Sequence, residues 1–233
     1  MRRLPLTGAR PSPNIWSRPD VYEIENRAFD RAGVLAQTMS SVASWAGRDV
    51  LDVGCGTGFH LPWFAETARS VVGVEPHPCL AAIARRRVRG QSNLSVLDGL
   101  AESLPIASAS VDVMHARWAY FFGPGCERGL AELDRVVRRG GMACVLDNDP
   151  ERSTFGGWFR RGFPSVSARE VERFWTSRGW DRHRLDLAWT FDSRADFESV
   201  VRIELPTAIA EEVIAEHLGS GVDYAVNLWV KTF

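Results

Sequence analysis

Residues 51–60 read LDVGCGTGFH, an apolar run of strand length that ends in a turn carrying Gly54, Gly56 and Gly58. Three glycines so close together mark a backbone that turns sharply, or that something approaches closely, because glycine alone adopts the required dihedrals without steric cost. A buried strand feeding such a turn is the start of a strand–turn–helix unit. The following sequence repeats that unit. Apolar strands are expected at 49–53, 70–74, 94–98, 111–116 and 142–147, with helices at 59–67, 78–89 and 125–138. Runs such as SVVGV have no polar interruption, so both faces of these strands are covered. The expectation is an α/β fold: a Rossmann-like, seven-stranded, mostly parallel sheet with helices on both faces and an antiparallel last strand.

The flanking segments differ. Residues 1–20 hold four prolines and read as an extended arm, and 21–45 reads as one helix with Ile24, Phe29, Val34, Leu35 and Met39 on its apolar side. After 150 the chain becomes rich in Trp and Phe. Residues 153–163 read as flexible and aromatic, 168–177 as a helix, 184–189 as a strand, 194–202 and 208–218 as helices, and 224–230 as the final strand. The 233 residues form a single domain, 1–233, in which 1–46 is an N-terminal arm and helical lid, 47–150 a cofactor-binding half and 151–233 the substrate side.

Composition removes several classes. A formal net charge of -1 gives no global field to hold nucleic acid or an anionic membrane. No stretch reaches the ~20 apolar residues of a membrane span, and the N-terminus lacks the apolar run of a signal peptide, so a cytoplasmic location is expected. Cys55, Cys79, Cys126 and Cys144 form no CxxC pair, and no metal site is expected. Arg85, Arg86, Arg87 and Arg89 read as a solvated helix face. The sequence is silent on oligomeric state.

A phosphate-binding turn wants GxGxxG ahead of a helix. Here the third glycine comes one residue early, and the expected position is Phe59. Asp52 stands two residues before Gly54, and residues 49–68 contain no Lys or Arg. A carboxylate beside the turn repels a pyrophosphate and favours a ligand with a positive group. S-adenosylmethionine has such groups and no phosphate. Its ribose needs an acid at the end of the next strand, and Glu75 stands there, 21 positions after Gly54.

With these residues the chain resembles the class I S-adenosylmethionine-dependent methyltransferases of small-molecule type. LDVGCGTG is near that family's consensus, and AESLPI and LAELDRVVRRGGMACVLD also match, so the resemblance runs from about 49 to 147. It implies S-adenosylmethionine as cofactor. It further implies that Gly54 and Cys55 offer the turn's backbone, that Asp52 supports the methionine corner, and that Gly56 and Gly58 shape the turn. Glu75 would hold the ribose, Pro76 pack near the adenine, Ala101 bond the adenine edge through its backbone, and Ala116 line the methionine side. The family often has Asp before that Ala101; here it is Leu100, so either Glu102 substitutes or packing holds the adenine.

The implied activity is methyl transfer to a small-molecule acceptor, with no nucleic-acid or membrane partner. The alternatives are a catalytically degenerate binding protein on the same fold and a nucleotide-linked oxidoreductase. An oxygen acceptor needs a base. His115, closing the fourth strand, is the catalytic candidate, with His60 behind it and His77 read as surface. Trp16, Tyr22 and Asn26 are candidates to close over the cofactor. Arg117 is a partner for a carboxylate of cofactor or acceptor, and Trp118, Tyr120, Phe121 and Phe122 make an aromatic wall. Asp147, Asn148 and Asp149 close the fifth strand, with Asn148 placed in the pocket.

Overall fold

The apolar runs become strands, and their pairing decides where a ligand can sit. A computed structural model describes residues 6–120 and 123–233. Its strands are β1 (Asp49–Val53), β2 (Ser70–Glu75), β3 (Leu94–Asp98), β4 (Val111–Arg117), β5 (Val137–Asn148), β6 (Asp181–Thr190) and β7 (Gly221–Thr232). They form one sheet in the order β3-β2-β1-β4-β5-β7-β6. Strands β3 to β5 pair in parallel, whereas β7 runs antiparallel to both β5 and β6. The order reverses between β1 and β4, and the crevice beyond their carboxyl ends is where such sheets bind ligands.

Ten helices surround the sheet among the described residues: α1 (Pro13–Ser17), α2 (Pro19–Ala28), α3 (Val34–Val42), α4 (Leu61–Ala65), α5 (Pro78–Arg87), α6 (Glu127–Val136), α7 (Thr154–Gly162), α8 (Ala168–Thr176), α9 (Arg194–Glu204) and α10 (Thr207–Glu216). Alternation along each strand separates two cores. Val50, Val113, Cys144, Leu146 and Val230 face a cluster built with α3, α4, α5, α7, α9 and α10. Leu51, Val53, Met114, Ala116, Val145 and Trp229 face a second cluster with α6 and α8.

Two expectations fail. Residues 21–45 are two helices, not one. Phe29 is extended, Asp30 has φ 54° and Gly33 φ 73°, so the chain turns between α2 and α3. The Asp30 carboxylate then accepts from the N–H groups of Leu35 (3.0 Å) and Ala36 (3.2 Å), satisfying donors that the start of α3 leaves open. Trp45 lies past the helix, its ring 4.6 Å from that of Trp63. The segment 153–163, read as flexible, contains α7. Ser153 caps it by accepting from Gly156 N–H (3.1 Å). Gly156 is there for room: a Cβ would lie 2.8 Å from the Asp149 carbonyl oxygen.

Gly58 shows how tightly the turn after β1 is built. Its φ is +74°, and a Cβ would lie 2.9 Å from the Ala84 Cβ on α5. Gly58→Ala therefore meets both backbone strain and overpacking, and should destabilise the chain by about 2–3 kcal/mol, read as a lower urea midpoint at unchanged slope.

Candidate active site

The turn after β1 is stitched to β2. The N–H groups of Gly54 and Cys55 both donate to the Val74 carbonyl (2.8 and 3.1 Å). Gly54 has φ +73°, and a Cβ there would lie 2.7 Å from the Ala119 Cβ. The chain then swings so that the Gly56 N–H donates to Glu75 Oε2 (2.9 Å), while the His77 N–H donates to Oε1 (2.8 Å). Burial pushes the Glu75 carboxyl up to about 7, against the pull of these two N–H groups. Gly58 faces α5 and not the crevice, so it shapes the turn and does not line it.

A cavity of about 550 Å³ opens beyond β1 and β4. Asp52, Gly54, Cys55, Gly56, Glu75 and Pro76 form its floor; Trp16, Tyr22 and Asn26 of α1 and α2 form its roof. Arg117, Trp118, Tyr120 and Asn148 line it too, as the sequence suggested. A smaller cavity of about 100 Å³ lies alongside, sharing Gly54, Pro76, Ala119 and Tyr120. Leu100, Ala101 and Glu102 line it. Glu102 also faces Arg128 at 3.4 Å.

Ala116 is a correction. Its side chain belongs to the sheet face covered by α6, and it lines neither cavity; Ala119, three residues on, lines both. His77 is half-buried with its ring 4.8 Å from that of Trp16, not simply surface. The basic run also departs from a plain solvated face. Arg87 pairs with Glu23 (2.7 Å), and Glu23 accepts from Thr57 of the glycine turn. Phe121 and Phe122 lie outside the described residues.

Asp52 and His115 are register partners on β1 and β4. Their side chains therefore point to the same face, and His115 Nδ1 lies 2.7 Å from Asp52 Oδ1. Among the described residues, His115 Nε2 is buried with no hydrogen-bond partner, as is Nε2 of His60, whose ring is 6.5 Å away. Burial holds His60 well below its usual range, so it is neutral. At the other wall the Asn148 Oδ1 accepts from Trp118 Nε1 (2.8 Å) and the Tyr224 hydroxyl (2.5 Å). These bonds help hold Trp118 at φ 49°, which a bulky side chain adopts only under constraint.

Two lining residues escaped the sequence reading. Glu25 of α2 is buried and Glu204 of α9 lies half-buried beside it; desolvation pushes both carboxyls up, Glu204 raising Glu25 further while hydrogen bonds with Asn14 and Glu25 pull Glu204 back. Asn14 Nδ2 of α1 donates to Glu204 Oε1 (2.5 Å). The available signal was Glu25 itself, a charged residue on the buried stripe of Val21 and Ala28.

Residues 51–145, from the end of β1 through most of β5, match the family described as "Methyltransferase domain". A probable S-adenosylmethionine-dependent methyltransferase of Mycolicibacterium smegmatis is 33% identical over 152 residues, covering 65% of this chain and 54% of that protein. Residues 51–145 are a methyltransferase domain of the S-adenosylmethionine-dependent type. Members of this family are enzymes, and S-adenosylmethionine is the cofactor of the domain. A malonyl-[acyl-carrier protein] O-methyltransferase of Pectobacterium atrosepticum is 29% identical over 119 residues, covering 49% of this chain and 46% of that one. The chain thus spans about half the length of these curated relatives. The YcgJ protein of Bacillus subtilis shares the fold with a TM-score of 0.62 at 18% identity, covering 86% of this chain and 97% of its own.

The cofactor fits what this domain presents. Glu75 stands buried at the end of β2 with its carboxylate already ordered by two N–H groups, and Gly54 presents bare backbone to the cavity. The narrow second cavity, walled by Leu100, Ala101 and Pro76, suits a flat ring.

Buried carboxyls set a pH signature. Glu75 and Asp147 are each raised to about 7 by burial, from 4.5 and 3.8. The folded chain thus binds more protons than the unfolded one between the two values, and their contribution to stability is lost as pH rises through about 7. The ligand-free chain should lose thermal stability between about pH 5 and 8, and Glu75→Gln and Asp147→Asn should each flatten that slope in thermal scans across the range.

Proposed function

We propose that this chain transfers the methyl group of S-adenosylmethionine to a small organic acceptor held in the larger cavity. The carrying observation is Glu75, fixed by Gly56 and His77 at the end of β2 and opening onto that cavity. In this reading Glu75 accepts from the two ribose hydroxyls, and its negative charge strengthens both bonds. Ala101, Leu100 and Pro76 sandwich the adenine, with packing in place of an acid before Ala101. Gly54 and Asp52 meet the amino-acid end. When bound, the cofactor supplies an electrophilic methyl on a sulfonium.

The remaining residues position the acceptor and keep water out. Trp16 and Tyr22 roof the cavity, and Phe159, Phe163, Ile203 and Leu205 give it an apolar wall that suits an acceptor with an apolar body. Asp52 orients the His115 ring, and the buried Nε2 is the proton acceptor for a hydroxyl acceptor. The malonyl-[acyl-carrier protein] O-methyltransferase supports a small acyl or oxygen-bearing acceptor. The concave cavity of about 550 Å³ and the formal net charge of -1 favour a small molecule over nucleic acid.

Calorimetric titration with S-adenosylhomocysteine should give micromolar binding, with NADH giving none. Glu75→Ala removes the acceptor of two charge-assisted bonds, and should weaken binding by about 100-fold or more. Binding of NADH alone would overturn the reading.

A further inference from the structure

The cavity is lined by a cation that no acid among the described residues pairs with directly, although Asp52 and Asp30 favour its charge from a distance. Arg117 ends β4, and its Nε is buried with no hydrogen-bond partner among the described residues. Among the described residues its guanidinium makes no hydrogen bond and no ion pair. Other sheltered arginines of this chain are matched. Arg182 donates to Asn227 (2.7 Å) and faces Glu172 at 3.2 Å, and Arg87 faces Glu23 at 2.7 Å. Arg117 instead lies by two rings, its Cζ 5.4 Å from the centre of Phe29 and 5.9 Å from that of Trp118. Aromatic faces ease the charge but do not take the place of oxygen acceptors for the N–H fork. Burial pulls the group down to about 10, so it stays charged at neutral pH. A buried charge left unpaired is costly, and such a charge lining a cavity is a receptor for the opposite one.

We propose that Arg117 is the carboxylate receptor of the cavity, taking an acid group of a ligand that lies beside Asp52. A planar carboxylate matches the fork of one guanidinium. A phosphate dianion would meet Glu25, Asp52, Glu75 and Asp147, which line the same space. Two ligands supply this chemistry: the amino-acid end of the cofactor, which rests on the function proposed above, and an acid group on the acceptor, which does not.

The test measures two ligand pairs on the unchanged chain, Arg117→Met and Arg117→Lys. The first pair is S-adenosylhomocysteine and 5′-methylthioadenosine, which lacks the amino-acid end. The second is hexanoate and its methyl ester, titrated with and without S-adenosylhomocysteine. If the cofactor's carboxylate is the ligand, Arg117→Met weakens S-adenosylhomocysteine at least 10-fold and leaves methylthioadenosine unchanged. If the acceptor's is, hexanoate binds the unchanged chain better than its ester, and Arg117→Met removes the difference. Arg117→Lys should fall between in either case. Thermal scans of the ligand-free chains add an independent readout: removing an unpaired buried cation should not lower the melting temperature. Unchanged affinity for both acids, or a loss accompanied by a melting temperature several degrees lower, overturns the proposal. Failure of the unchanged chain to bind either nucleoside overturns the cofactor reading instead, and the hexanoate arm then decides Arg117 by itself.

Discussion

Everything at the site depends on the Glu75 carboxylate receiving the Gly56 and His77 N–H groups. One residue thereby fixes the end of β2, the middle of the glycine turn and the entry to α5. The bonds cost little flexibility, because the turn is already tied to β2 through Val74. They do cost solvation, which is why the carboxyl is displaced so far from its ordinary range. A site that keeps a desolvated acid in place before any ligand arrives has met part of the ordering cost in advance.

The central sheet was legible because its signal is local. Strands such as SVVGV and the turn LDVGCGTG announce period, burial and direction within a few residues, and all seven strands overlap the segments expected from the sequence. The residues at strand ends, Asp52, Gly54, Glu75 and Arg117, were legible for the same reason. What failed depended on neighbours far away in sequence. The break between α2 and α3 has a local cap in Asp30 but rests also on Phe29 bridging to Trp189 of β6. Ala116 and Ala119 differ only in which side of β4's end they face, and the turn at Trp118 decides that. Glu204 is meaningful only because α9 brings it to Glu25.

The charges around the cavity are unevenly balanced. Glu25 and Glu204 answer desolvation by staying close and holding a proton, whereas a guanidinium cannot shed its charge under ordinary conditions. Carboxyl groups can therefore be stored in a dry site as neutral acids, and an arginine cannot. The asymmetry explains why acids gather under the lid without a lysine or arginine for each.

The short helix α1 has a kinetic meaning. Ile15 rests on Gly56, Asn14 bonds Glu204, and the ring of Trp16 meets that of His77, while α2 is tied to the turn through Glu23 and Thr57. A helix of one turn has little stability of its own, so these attachments alone keep it seated. A ligand that enters or leaves beneath α1 has to break these contacts, so the fastening of α1 adds to the barrier set by the floor's own grip.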